Sequence, residues 1–383
     1  MADQPFPSIA FLWPALAAAS TSGMMSAFAG QLARLGGAVP KSDSPTPKWA
    51  TANRVALELP SMRLREFCAG GRAVPTLICA PFALHRATIA DFAPGHSLVR
   101  ALRGAGLSHI CVTDWLSAGP EMRYLSIDNY LADLDVAVDE LGGNVDLIGL
   151  CQGGWMALLF AARFPDKVHK LVLAGAPVDV RAGESPLSRL AAQMPLAMFE
   201  QLVELGGGRI LGDRVLGLWG PRTLASESVR HLLQVPRRRG GLELRRLEAE
   251  FQEWHAATVD LPGTYYLEVV EWLYKQNRLA EGRLVALGHR IDLARVRLPL
   301  FLLAARDDDV VAAEQVFAAA RRVGTAATEI ETAIAPCQHL GLFMGARTLR
   351  TIWPNIARWL AGRRAAPRRS SRFAGRDRGA SPG

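Results

Sequence analysis

The 383-residue chain lacks several features that would settle its class at once. Its five cysteines, Cys68, Cys79, Cys111, Cys151 and Cys337, form no C-x-x-C pair and have no metal-ligand spacing, which argues against a zinc module or a disulfide scaffold. Cys79 and Cys111 sit inside apolar runs, where a reduced cysteine behaves as a small hydrophobe. A reducing cytoplasm is the expected compartment. The first eight residues hold no Lys or Arg, so the positive region of a secretory signal is missing. The apolar run at 9–19 is too short to span a bilayer and is broken by Pro14. Residues 8–36 therefore read as an amphipathic helical extension, with secretion as the minor alternative. No internal repeat is visible, which sets aside solenoids and propellers.

Acidic residues are also scarce at one end. Between Arg363 and Gly383 seven arginines face one acid, Asp377, so six of the chain's eight net positive charges lie there. The remainder carries only +2, and specific nucleic-acid binding is not expected of it. The 363–383 segment, rich in Pro, Ser, Gly and Arg, reads as a disordered tail. A solvated tail without a role competes with one that touches nucleic acid, an anionic surface or an acidic partner.

Half of the residues are apolar, enough for a large core. Short apolar runs at 76–80, 109–113, 145–149, 170–174, 300–304 and 328–334 alternate with helical periodicity, as at 127–141 and 155–164. That pattern predicts an α/β fold with a mostly parallel, doubly wound sheet. Residues 181–290 differ: they are rich in Arg, Leu and Glu, mostly helical, and show no clear strand. An insertion at that point lies over the carboxyl ends of the strands, where ligands of open α/β sheets bind, and so reads as a cap. The expected organisation is an N-terminal extension and linker (1–48), a core in two parts (49–180 and 291–362) separated by the cap (181–290), and the tail (363–383).

The strongest motif is Gly149-Leu-Cys151-Gln-Gly153, set between an apolar strand and a helix-forming stretch. A nucleophile on so tight a turn needs neighbours without a Cβ two residues before and after it. The first helical amide, that of Gln152, then points at a developing oxyanion. A glycine-rich turn around an inert buried cysteine is the competing interpretation. A thiol nucleophile requires a base, and the base an orienting carboxylate, in the chain order nucleophile, acid, histidine. After the 300–304 strand stands Arg306-Asp-Asp-Asp-Val-Val311, where Asp308 and Asp307 each have a valine three residues on. After the last strand comes His339, followed by Leu340 and Gly341. His85 is its one rival, because it follows the first core strand. The second oxyanion amide is expected in the same loop, at Ala83.

These residues resemble the polyhydroxyalkanoate synthases, an α/β-hydrolase family, over roughly residues 75–360. Gly149 to Gly154 is similar to that family's G-x-C-x-G-G box, and Asp114-Trp115 with Leu125 to Tyr130 to its D-W and L-x-x-D-x-Y stretch. Trp254, Leu261-Pro-Gly263 and Asn277-Arg-Leu279 resemble its cap segment, and Ile291-Asp-Leu293 with Leu298-Pro299 its lead-in to the acid. The family's D-H-[LI]-V aligns with Asp308 to Val311, which selects Asp308, and its H-[IL]-[GA] matches His339 to Gly341. Ala257 departs from the family aspartate, Asp309 from the histidine after the acid, and Ala312 from the following proline. The family asparagine after the first core strand has no clean counterpart near Leu84 and His85.

The resemblance implies an acyltransferase that polymerises (R)-3-hydroxyacyl-CoA thioesters through Cys151, His339 and Asp308. Gln152 and Ala83 would bind the oxyanion, and neither metal nor cofactor would take part beyond the coenzyme A of the substrate. It implies a polyester granule as the surface the enzyme meets. The compact length resembles members that act with a small helper subunit, and a homodimer stays open. Two alternatives stand: a depolymerase or thioesterase on the same scaffold, and a non-catalytic granule-associated partner subunit. Gly153 favours the synthase, because related intracellular depolymerases tend to carry proline there.

Overall fold

In the computed structural model, residues 47–362 are described apart from 69, 71–72, 220–225 and 237–240. The expected extension (all of 1–48 but its last two residues) and the 363–383 tail lie outside them. The strands are β1 (Arg54–Glu58), β2 (Met62–Cys68), β3 (Thr76–Cys79), β4 (Ile110–Trp115), β5 (Val145–Leu150), β6 (Val168–Ala174), β7 (Leu300–Ala305) and β8 (Ile330–Ala335). They pair into one sheet of order β1-β2-β4-β3-β5-β6-β7-β8. Only β2 runs against the others, pairing antiparallel with β1 and β4, while every remaining pair is parallel. Parallel pairs need crossovers, which α1 (Leu98–Gly104), α2 (Ile127–Glu140) and α3 (Gln152–Arg163) supply. Every residue of β3, β4, β5 and β7 is buried, as expected of strands covered on both faces.

The hairpin of β1 and β2 has no counterpart among the expected strands. It alternates Met62 and Leu64, both buried, with half-buried Arg63 and Arg65, so no continuous apolar run marks it. The polar alternation is that of a sheet margin with one solvated face.

Between β6 and β7 the chain forms α4 (Pro186–Gln193), α5 (Leu196–Leu205), α6 (Gly212–Trp219), α7 (Ser226–Leu232), α8 (Leu242–Ala256) and α9 (Gly263–Glu268). The last runs on as a π-helix, Val269–Lys275. The segment is not purely helical: Arg209–Ile210 pairs with Leu261–Pro262, and Val285–Ala286 with His289–Arg290. Two-residue strands are too short to show a period in sequence. Beyond β7 lie α10 (Ala313–Phe317), α11 (Ala346–Thr351) and α12 (Trp353–Leu360).

One polar cluster ties the end of the π-helix to the core. Asn277, at φ 50°, donates from Nδ2 to Asp179 Oδ1 at 2.8 Å and accepts the Val180 amide at 3.3 Å. Asp179 also accepts from the Arg181 amide at 3.1 Å and from Arg322 Nη2 at 2.8 Å. Burial pushes the Asp179 pKa up, but the bonds from Asn277 and Arg322 outweigh it and hold the carboxyl below its usual range. A carboxyl depressed in the folded state contributes stability above its unfolded pKa and loses it as pH falls through the folded value. Denaturant unfolding should thus show Asp179→Asn less stable than wild type at pH 6, with the gap narrowing as pH falls below about 4. A gap independent of pH would contradict this account of the cluster.

Candidate active site

β5 ends at Leu150 and α3 begins at Gln152, so Cys151 alone makes the turn. Its backbone stands at φ 49° and ψ −117°, a strained conformation for a residue with a side chain. Two hydrogen bonds hold it: the Cys151 amide donates to Ala174 O at 2.9 Å, and its carbonyl accepts from Gly154 N at 2.8 Å. The glycines are demanded by contact. A Cβ on Gly153 would lie 2.2 Å from the Cys79 carbonyl oxygen, and one on Gly149 would lie 2.5 Å from Gly154 Cα. A Cβ on Gly154 would meet the Ala176 methyl at 2.3 Å. The elbow is wedged between the ends of β3 and β6 with no room for alternatives.

Asp308 and His339 come to the same place from the ends of β7 and β8. The Arg306 amide donates to Ala335 O and the Asp307 amide to Cys337 O, which joins the two loops at their base. Asp308 Oδ1 accepts the amides of Val310 and Val311, each at 2.9 Å, while Oδ2 lies 2.8 Å from His339 Nδ1. Both carboxylate oxygens are thus used, and the two side chains are 1% and 2% exposed. Asp307 is exposed. The bonds to Val310 and Val311 form a local turn that only the Asp308 register closes.

His339 Nε2 is fully buried and has no oxygen or nitrogen partner among the described residues. Cys151 lies close enough to the ring to influence its protonation. Burial opposes the charged ring, but the Asp308 carboxylate and then Cys151 overcome it and raise the His339 pKa well above its usual value. Burial pushes Cys79, Cys111 and Cys337 up to about 12, so they remain protonated and inert near neutral pH.

The loop after β3 approaches the elbow from the other side. Its start is fixed by β4: Ala80 N donates to Thr113 Oγ1 at 3.0 Å, and Trp115 Nε1 donates to Ala80 O at 2.9 Å. Ala83 is buried within it. The far end is joined to the cap, where Val259 N donates to Leu84 O at 2.8 Å and His85 bridges to Thr258. His85, the rival base, points elsewhere. Its ring stacks on Trp254 at 4.7 Å, and Nε2 lies 3.1 Å from His255 O. Ala257, the departure from the family aspartate, is buried at the end of α8 beside this stack.

Gln152 and the cap meet directly. Its side chain is fixed by Trp155 Nε1, which donates to Oε1 at 2.5 Å, and it donates from Nε2 to Tyr274 Oη at 2.8 Å. Tyr274 itself carries no motif in the sequence, although the aromatic run Leu261 to Tyr266 and Trp272 beside it do suggest an apolar cover. The available signal was the buried stripe Tyr265, Tyr266, Val269, Val270, Leu273 and Tyr274, which reads equally well as core packing. Cys151 is only 1% exposed under this cover.

Comparison with known proteins agrees with this architecture. Residues 233–363 match the family described as "PHB de-polymerase C-terminus". The poly(3-hydroxyalkanoate) polymerase subunit PhaC of Synechocystis is 28% identical over 305 residues, covering 76% of this chain and 78% of the relative. The subunit of the same name from Haloferax mediterranei is 27% identical over 301 residues, covering 76% of this chain and 59% of the relative. Among solved structures, the monoacylglycerol lipase of Paleococcus ferrophilus superposes with a TM-score of 0.52 at 16% identity, covering 79% of this chain and 98% of the lipase. That likeness establishes the α/β-hydrolase fold.

If Asp308 orients His339, Asp308→Asn should lower turnover by about a thousandfold or more, as expected when the wrong tautomer is stabilised. Asp307→Asn and Asp309→Asn should each stay within about tenfold of wild type. The check is steady-state release of free thiol from a CoA thioester, and the reverse ranking would move the acid.

Proposed function

We propose that this chain, a relative of the polyhydroxyalkanoate polymerases, is an acyltransferase that joins 3-hydroxyacyl units from CoA thioesters into polyester. The observation that carries the reading is a thiol, not a hydroxyl, on a strained elbow beside a buried His–Asp pair, covered by a cap. A thiolate is a strong nucleophile near neutral pH, and the acyl-thioester it forms stays reactive towards an alcohol.

In the first half-reaction Cys151 passes its proton to His339 and its sulfur attacks the substrate carbonyl. The amides of Gln152 and Ala83 take the oxyanion. The carbon–sulfur bond to coenzyme A then breaks, and His339 returns the proton to the departing thiolate. In the second half-reaction the hydroxyl of another acyl unit, or of a growing chain, gives its proton to His339 and attacks the acyl-Cys151. An ester bond forms, the carbon–sulfur bond breaks, and the proton returns to Cys151. Coenzyme A enters and leaves as part of the substrate, and the proposed chemistry calls on no further cofactor. Cys151 is covered in this structure, so the cap must shift for a thioester to enter and must close to keep water from the acyl-enzyme.

A hydrolase is the second reading, favoured by the depolymerase description of the family matched over 233–363. Gly153 speaks against it only through the resemblance, which implies proline at this position in related intracellular depolymerases; the close Cys79 carbonyl accounts for the glycine under either reading. A polyester granule is the proposed surface of action, and among the described residues no helix is long and apolar enough to cross a bilayer. The Ala257 departure leaves the non-catalytic subunit as a reading that assays of both reactions decide.

Purified protein supplied with 3-hydroxybutyryl-CoA should release CoA and form ester-linked product with little free hydroxy acid, separated by chromatography of the products. Cys151→Ala should abolish CoA release, and Cys337→Ala should retain most of it. Free acid as the sole product would establish the hydrolase. No CoA release, with or without a helper subunit, would remove the acyltransferase reading, and hydrolysis of a polyester substrate by the same protein would then separate a depolymerase from a non-catalytic subunit.

The exclusion of water can be tested separately at Trp254, which is fully buried and packs its ring on His85. Trp254→Phe keeps an apolar ring but loosens this junction of cap and loop. The free-acid share of the product should then rise more than CoA release falls. An unchanged product ratio would show that this contact has no part in excluding water.

A further inference from the structure

The π-helix Val269–Lys275 is the least ordinary stretch of the cap, since π turns are rare and concentrate at functional sites. Its Gln276 amide reaches back to Glu271 O at 2.9 Å, a wider turn than an α-helix makes. The wide turn brings Tyr274 onto the elbow while Asn277, three residues on, stays bonded to Asp179.

The orientation of the Gln152 carboxamide follows from its neighbours. Trp155 Nε1 can only donate, so the atom facing it is Oε1, and Nε2 must face Tyr274. The Tyr274 oxygen therefore accepts. Gln152 is 2% exposed, so its NH2 group depends on that acceptor for a partner when the cap is down. Burial first, then the neighbouring Cys151, holds the Tyr274 phenol well above its usual pKa, so the hydroxyl stays neutral.

We propose that Tyr274 is a positioning residue, which holds Gln152 and with it the first oxyanion amide in place only when the cap is closed. Gln152 then forms a joint between cap and elbow. With the cap down, its side chain is held from both ends, by Trp155 on α3 and by Tyr274 on the π-helix. With the cap raised, the Tyr274 end is lost, and the residue that supplies the oxyanion amide is held less firmly. Acylation is thereby confined to the covered centre, and this coupling favours attack by an alcohol over attack by water. The inference rests on the acyltransferase reading for its kinetic consequence, but not for the joint itself.

The test compares wild type, Tyr274→Phe, Gln152→Leu and the double variant, with Tyr266→Phe as a control. Tyr266 is a buried tyrosine of the same cap segment, and burial alone is what raises its pKa. With 3-hydroxybutyryl-CoA, Tyr274→Phe should lower kcat about tenfold and leave KM within about twofold, the signature of a lost transition-state interaction. The free-acid share should rise. The double variant should be no slower than the worse single one, because the two residues act through one bond. An unchanged kcat and product ratio in Tyr274→Phe, or losses that multiply in the double variant, would overturn the proposal, as would an equal loss in Tyr266→Phe.

Alkylation of Cys151 by iodoacetamide gives a readout independent of the substrate. Loosening the cap should raise its rate by at least about fivefold in Tyr274→Phe and leave Tyr266→Phe near wild type. Equal rates in the three proteins would end the proposed joint. A wild type that releases no CoA would instead refute the acyltransferase reading while leaving this second measurement to decide the role of Tyr274.

Discussion

The strained turn at Cys151 is the constraint on which the rest of the site depends. A positive φ on a residue with a side chain costs on the order of 1–3 kcal/mol and persists only where the surroundings over-determine it. Here three glycines allow β3, β6 and the start of α3 to press against the turn at distances that no Cβ would permit. Two hydrogen bonds to Cys151 then fix its direction. Once that direction is set, the ends of β7 and β8 need only deliver Asp308 and His339. The parallel register of those strands, Leu300 opposite Ile330 through Ala305 opposite Ala335, sets their loops side by side, and the bonds Arg306 N to Ala335 O and Asp307 N to Cys337 O hold them there.

Where chemistry required particular residue types at fixed spacing, sequence was a sufficient guide to where the structure would place them. Gly149, Cys151 and Gly153 point to an elbow because a side chain held on so tight a turn leaves no room for a Cβ two residues to either side. The choice between Asp307 and Asp308 was open on spacing alone, and family resemblance selected Asp308. The structure adds a physical reason for that register: the Asp308 carboxylate caps the amides of Val310 and Val311 as it meets His339. The parallel strands were visible because burial on both faces writes a continuous apolar run.

Other parts left a weaker trace. The hairpin of β1 and β2 alternates charged and apolar residues at the sheet margin, which resembles many solvated segments. The two-residue pairings in the cap are shorter than any period can register. Tyr274 belongs to an apolar helical stripe whose ordinary explanation is packing, and no spacing rule reveals that the stripe passes through a π turn. Ala83 would act through its backbone amide, and a backbone amide leaves no mark on residue identity. His85 was the natural rival to His339 by position along the chain, and the stack on Trp254 shows that position after a strand does not decide which way a ring points.

The cap therefore contributes in a different currency from the core. The core supplies Cys151, His339 and Asp308, the proposed nucleophile, base and acid, in a geometry enforced by close packing and register. The cap supplies burial: it leaves Cys151 and Gln152 almost inaccessible, with Tyr274, Asn277 and the His85–Trp254 stack as its points of attachment. In a water-filled cleft the same triad would be well suited to hydrolysis, since water outnumbers any other acceptor. What turns acyl-thioester chemistry towards ester formation is exclusion of that competitor, and exclusion depends on how firmly the cap closes rather than on the identity of the triad. The proposed difference between a polymerase and a hydrolase on this fold thus lies less in Cys151, His339 and Asp308 than in the few polar and aromatic contacts that hold the cover in place.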